Sequence, residues 1–258
     1  MELIHQLVPQ LKRLRLSGIL ETLEVRNQQA IDNHATYVEF LARLVEDEVA
    51  RRDQKQLALA LHRAAVDTTK TLEGFDFHFQ PHLNRQQILE LATCSYIRQK
   101  QNVLICGPTG VGKSHLAQAL AHEACRRGYT ARFVNTHRML QDLHGGRADD
   151  TRARRLKTYL RPDLLLLDDF GLKPLRPPAA EDLYDIIQER YERGSILVTS
   201  NRALEEWPDW FGDPLLASAG LDRLTHRAQV VLIPGDSFRV YETTRRGKEV
   251  LSETQTRS

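Results

Sequence analysis

Eight residues constrain this chain more than any others: Gly107-Pro108-Thr109-Gly110-Val111-Gly112-Lys113-Ser114. They come directly after the apolar run Val103-Leu104-Ile105-Cys106 and directly before a helix-like segment. An apolar strand, a glycine-rich turn and a helix in immediate succession make a phosphate-binding loop. The dense negative charge of a nucleoside triphosphate is met there by backbone N–H groups, which crowd around phosphate only where glycines remove side chains. On this reading Lys113 sets its ammonium on the β- and γ-phosphates and Ser114 ligates Mg²⁺ through its hydroxyl. The helix starting near Lys113 adds its unsatisfied amides and positive dipole end.

Around the loop the pattern alternates. Strands are expected at 102–106, 130–135, 163–168, 195–199 and 229–233. Helices are expected at 113–127, 137–144, 149–160, 179–193 and 215–227, with Gly145-Gly146 separating the second from the third. Apolar strands separated by helices of this length imply a parallel five-stranded sheet covered on both faces, an α/β domain. Asn84 is expected to cap a helix over about 85–99. Residues 1 to about 68 hold one proline, Pro9, and read as helix throughout, with Leu7, Leu11 and Leu14, then Leu20 and Leu23, at helical spacing. A longer helix from Thr36 carries Tyr37, Leu41, Leu44 or Val45, and Glu48 or Val49 on successive turns. This divides the chain into a helical module at 1–68 and a nucleotide-binding domain at 69–258. A module that small buries too little alone, so it is expected to pack on the other domain, a copy of itself or a partner. In the connecting stretch Phe75, Phe77 and Phe79 alternate, the pattern of a short extended segment; packing is the expected job of these rings, with contact to the nucleotide base as the alternative.

Leu164-Leu165-Leu166-Leu167-Asp168-Asp169 reads as a buried strand ending in two carboxylates. A strand end beside the loop places Asp168 on the Mg²⁺ side, and Asp169 becomes the candidate for polarising an attacking water, which favours hydrolysis over transfer. The next strand ends in Thr199-Ser200-Asn201, whose polar tip can reach the γ-phosphate or the water; Asn201 is preferred, ahead of Ser200 and Thr199. Arg223, in Leu221-Asp222-Arg223-Leu224, is by itself an ordinary helix-surface arginine.

Composition narrows the setting. Of 258 residues, 41% are hydrophobic and 27% charged, ordinary for a globular protein. No apolar run approaches the roughly 20 residues needed to span a bilayer. Cys94, Cys106 and Cys125 form no Cys-x-x-Cys pair, which fits a reducing, cytoplasmic setting. Between Arg126 and Arg161 ten Lys/Arg stand against three acids, a local +7, whereas residues 1–70 balance at ten of each sign. Such a block reads either as a solvated helix face or as a surface for an anionic partner, nucleic acid being the commonest.

Taken together, these motifs resemble the AAA+ ATPases of the helicase-loader branch, and most closely the IstB-like helper ATPases of bacterial insertion sequences. The resemblance covers nearly the whole chain, including Leu11-Lys12-Arg13-Leu14-Arg15-Leu16-Ser17-Gly18, Leu72-Glu73-Gly74-Phe75-Asp76-Phe77, the loop with His115-Leu116-Ala117, Leu167-Asp168-Asp169-Phe170-Gly171 and Thr199-Ser200-Asn201-Arg202. It implies an ATPase, using ATP and Mg²⁺, that assembles as a homo-oligomer on double-stranded target DNA and recruits and stimulates a transposase. Gly107 to Ser114, with His115, become Walker A, Asp168 and Asp169 Walker B, and Asn201 sensor I. Arg223 becomes the arginine finger and Arg239 the sensor II arginine. The paired helices of 137–160 fall where this branch carries its initiator-type helices, which gives the basic block phosphates to contact without sequence readout. Many relatives carry Asp-Glu at Walker B, so the shorter Asp169 implies slow turnover. The stretch after the last strand is too short for a full C-terminal helical lid. A DnaC-type helicase loader, binding a helicase and single-stranded DNA, is the alternative reading.

Overall fold

The computed structural model describes residues 2–235 and 237–238, and divides into two compact units, Met1–Ala60 and Leu61–Ser258. The first holds α1 (Glu2–Arg13), α2 (Ser17–Asp32) and most of α3 (Tyr37–Ala64). Helices α2 and α3 close on each other at Gly18, where a Cβ would stand 2.7 Å from the Glu48 Cα. Glu48 is buried because its carboxylate accepts the Gly18 and Ile19 amides that open α2, at 2.6 and 3.4 Å. Asp47 accepts two hydrogen bonds from Arg26, and these hold its carboxyl down at about 2. The α3 stripe therefore buries Leu44 and Glu48 and leaves Tyr37, Val38, Leu41, Val45 and Val49 exposed.

The second unit is a five-stranded sheet in the order β2-β3-β4-β1-β5, every pairing parallel: β1 (Val103–Cys106), β2 (Ala131–Asn135), β3 (Leu164–Phe170), β4 (Ser195–Ser200) and β5 (Gln229–Leu232). Strands covered on both faces need apolar side chains on both, and Val103, Leu104, Ile105 and Leu164 to Leu167 are all buried. Helix α6 (Lys113–Arg126) buries Leu116, Leu120 and a run of alanines, small enough for close approach to the sheet. Parallel strands all end on one edge, so the loop after β1, the carboxylates of β3 and the polar tip of β4 share that edge, as the sequence pattern predicts.

Helix boundaries differ from expectation at three places. The predicted helix over 85–99 is two, α4 (Arg85–Ala92) and α5 (Ser95–Arg98), separated at Cys94, whose φ is 61°. Asn84 caps α4 by accepting the Gln87 amide, as predicted. Gly145-Gly146 does not break a helix. α7 (Thr136–Ala148) runs through both, and Gly146 is needed for contact, since a Cβ there would lie 2.8 Å from the Arg152 Cα at the start of α8 (Arg152–Leu160). The break falls instead at 149–151, where Asp149 accepts the Thr151 amide and hydroxyl and Asp150 has φ 54°. The loop expected after β4 contains a short helix, α10 (Trp207–Phe211), because Trp207, Trp210 and Phe211 pack on Phe170 and the core beneath it. The expectation of a missing C-terminal lid concerns 239–258, outside the described residues.

Half of the ten cations of the basic block are paired within the fold. Arg126 and Arg127 pair with Glu123, Arg126 also with Glu73, and Arg155 with Asp142 and Asp149. Arg147 and Arg152 converge on Asp182, fully buried on α9 (Ala179–Arg190), and tie α7 and α8 to it. A buried carboxylate is retained only when so paired. Arg138, Arg154, Lys157 and Arg161 are exposed and form no ion pair among the described residues.

His122, buried in α6 with Nδ1 lacking a hydrogen-bond partner, carries a stability prediction. Burial, then the Arg126 charge, pushes its pKa below the ordinary histidine value. As pH falls, the unfolded chain takes up this proton first, so the contribution is present above the ordinary value and is lost below it. Melting should therefore occur at lower temperature near about pH 5.5 than near about pH 7.5, and His122→Leu should shrink that difference. An unchanged difference would remove His122 from the account.

Candidate nucleotide site

The loop is shaped by what surrounds it. Gly107 donates its amide to the Ser200 carbonyl at 3.2 Å, and a Cβ there would stand 2.2 Å from the Ile233 carbonyl oxygen. Gly110 and Gly112 have φ of 87° and 100°, and a Cβ would strike Ser237 Oγ at 2.1 Å and the Phe75 ring at 2.7 Å respectively. Val111 plugs the loop into the core at 1% exposure. Gly112 at the N-cap of α6 supplies no side-chain acceptor, so the first amides of the helix are not spent on a side chain. The Lys113 ammonium folds back to donate to the Pro108 carbonyl at 2.6 Å.

The carboxylates lie where the sequence places them. Asp168 Oδ1 accepts Ser114 Oγ at 2.8 Å and also the Thr199 hydroxyl. Asp169 leaves the ladder: pairing of β3 with β4 shifts register between Leu167 and Phe170, and Asp169 has φ 55°. Asp tolerates this left-handed region better than most side chains. Its Oδ2 accepts Asn135 Nδ2 at 3.0 Å, and the Oδ1 of the same Asn135 caps α7 by accepting the His137 and Arg138 amides. Sequence reading passed over Asn135. Its signal was its place, a polar residue ending the strand beside β3, paired in register with Asp168.

A cleft of about 610 Å³ adjoins the loop, and Lys113, Ser114, His115, Asp169 and Asn201 all line it. That volume suits a nucleotide. Phe79 and Phe238 also line it, edge to face with ring centroids 5.0 Å apart. The phenylalanine stretch is a series of turns instead of an extended segment, because Asp76 Oδ1 accepts the His78 and Phe79 amides. Phe75 then packs against Gly112 and His115. Burial lowers the His115 pKa, and the neutral ring holds the Thr71 carbonyl through Nε2 at 2.9 Å, which fixes this segment to the loop helix. The Ser114 hydroxyl and Asp168 carboxylate are the hard oxygens that Mg²⁺ takes. Among the described residues no group of three or more His, Cys, Asp or Glu forms a protein cage, so an ion there would draw its remaining ligands from phosphate and water, the usual Mg²⁺ arrangement.

Arg223 is not brought to this cleft. It lies on α11 (Pro214–Thr225) in a separate cleft of about 220 Å³ with Lys100 and His226, donates to the Ala219 carbonyl at 2.6 Å, and stands 5.9 Å from the Tyr184 ring centre. Arg239 lies outside the described residues.

A parallel sheet in this strand order, with a phosphate loop after β1 and paired carboxylates at the end of β3, across β4 from it, defines a phosphate-loop nucleotide-binding protein of AAA+ architecture. The solved DnaC helicase loader superposes with TM-score 0.50 at 22% identity, over 57% of this chain and 86% of that one. AMPPCP-bound DnaA from Aquifex aeolicus gives 0.54 at 24%, over 71% and 56%. The chain belongs to the IstB-like ATP-binding proteins, whose family model matches residues 9–246. An insertion-sequence ATP-binding protein of Mycobacterium tuberculosis is 40% identical over 89% of this chain and 92% of its own length. The insertion sequence IS21 ATP-binding protein of Pseudomonas aeruginosa is 34% identical over 95% and 92%.

Proposed function

We propose that this protein is an ATP-hydrolysing helper of transposition that assembles on double-stranded target DNA in the bacterial cytoplasm and recruits and stimulates the transposase of its insertion sequence. The observation that carries the reading is one cleft holding Lys113, Ser114, Asp169 and Asn201, with Asp168 bonded to Ser114, in a chain matched over nearly its full length by insertion-sequence ATP-binding proteins. In it ATP lies along Gly107–His115, Mg²⁺ is held by Ser114 and Asp168, Asp169 polarises the water, and Asn201 senses the γ-phosphate. Arg239 stands as the sensor II candidate by position in the sequence alone. The N-terminal unit, 1–68 in this reading, serves assembly or partner binding; the exposed stripe Tyr37, Val38, Leu41, Val45 and Val49 supports that role.

DNA contact falls to the exposed cations of the block that form no ion pair among the described residues, Arg138, Arg154, Lys157 and Arg161. Replacing Lys157 and Arg161 with alanine should lower the slope of log affinity against log salt by about 2 for duplex DNA bound in the presence of ATP. Fluorescence anisotropy across a salt series measures it. An unchanged slope would move the DNA surface elsewhere, and a wild-type preference for single strands over duplex would favour the helicase-loader reading.

A further inference from the structure

Thr199 is 2% exposed in the middle of the site edge, on β4 between β3 and β1, and its one hydroxyl makes two contacts of different kinds. It donates its proton to Asp168 Oδ1 and accepts the Asp169 amide at 3.2 Å. A hydroxyl has one donor and two acceptor sites, so both bonds form at once. The second bond answers a need that the sheet creates. The register shift between Leu167 and Phe170 takes Asp169 out of the β3–β4 ladder at φ 55°, and there the Thr199 hydroxyl accepts its amide. The first bond fixes the rotamer of the carboxylate that also accepts Ser114 Oγ. Threonine suits this task because its branched Cβ restricts χ1 and so aims the hydroxyl.

We infer that Thr199 is a positioning residue for both carboxylates, orienting Asp168 toward the metal and holding the backbone bulge that presents Asp169. This rests on the ATP-hydrolysis reading for its catalytic consequence, though not for its geometry. It also accounts for aspartate in place of glutamate at 169, since the left-handed backbone that Thr199 stabilises is better tolerated by Asp.

The test compares Thr199→Val, which keeps shape and loses the hydroxyl, with Thr199→Ser, which keeps the hydroxyl. In nucleotide-free protein, amide hydrogen exchange at Asp169 should be fast in Thr199→Val and protected in wild type and Thr199→Ser. With a fluorescent ATP analogue, Thr199→Val should need more Mg²⁺ for half-maximal binding while binding in EDTA stays within about 2-fold of wild type, and kcat should fall by about 100-fold, the usual cost of a misplaced group. Thr199→Ser should recover most of each loss. Equal Asp169 exchange in the two variants, or a shared loss of binding in EDTA, would overturn the proposal. If Thr199→Val does not melt cooperatively, Thr199→Ser and Thr199→Ala carry the same comparison. A wild type that binds the analogue and hydrolyses no ATP on DNA would sink the hydrolysis reading alone, leaving the exchange and Mg²⁺ measurements to decide on Thr199.

Discussion

Lys113→Ala is expected to abolish nucleotide-dependent assembly on duplex DNA and to reduce hydrolysis by about 10²–10³-fold, the size of losing one well-placed electrostatic group in a water-poor site. The fold should survive, because truncating Lys113 removes a side chain that donates to a loop carbonyl, that of Pro108, and leaves the backbone of α6 intact. That bond also indicates how the residue works. A charge-assisted bond to triphosphate oxygens is stronger than one to a neutral loop carbonyl, so phosphate competes well for the ammonium. Sedimentation with duplex DNA and a non-hydrolysable ATP analogue measures the assembly. Oligomers of wild-type size from Lys113→Ala would show that ATP is not the switch.

How much of this site could be read in the sequence depended on whether a residue's task is local. The loop could be read because its neighbours in sequence are its neighbours in space: three glycines, a lysine and a serine at fixed offsets after an apolar strand. Asp168 and Asp169 could be read because they close a buried strand at its C-terminal end, the edge that parallel strands share with the loop and where charge can be tolerated. Asn135 and the double role of Thr199 were hidden because each acts across strands, through a register that only the folded sheet defines. The break at 149–151 was mislocated for a related reason. Gly145-Gly146 reads as punctuation, yet Gly146 is there for the close passage of Arg152, a tertiary demand that overrides local propensity. Charge counting overstated the free charge of the basic block. The local +7 ignored Glu73, Glu123, Glu181, Asp182 and Asp185, which lie outside the counted window and face its arginines. The phenylalanine stretch alternates like a strand, but Asp76 turns it so that Phe75 packs on Gly112.

Arg223→Ala is expected to lower DNA-stimulated hydrolysis by about 10³-fold or more, the range for an arginine that neutralises charge on a transferring phosphoryl group, while leaving nucleotide binding unchanged. The geometry makes this prediction specific. Arg223 lines a cleft with Lys100 and His226 and not the one lined by Lys113 and Asp169, so a catalytic effect has to be exerted on another copy of the chain. Among the described residues it makes one hydrogen bond, to the Ala219 carbonyl, and one contact over the Tyr184 ring, together about 1–2 kcal/mol, too little for unfolding to explain a loss of that size. Mixing decides between the two origins. A Lys113→Ala protomer has a defective loop and a sound Arg223; an Arg223→Ala protomer has the reverse. If the arginine acts in trans, every contact that presents an intact Arg223 to an intact loop is active, and the mixture hydrolyses ATP although neither variant does so alone. If Arg223 served only its own subunit, mixing would restore nothing, and activity per wild-type chain would not rise with protein concentration.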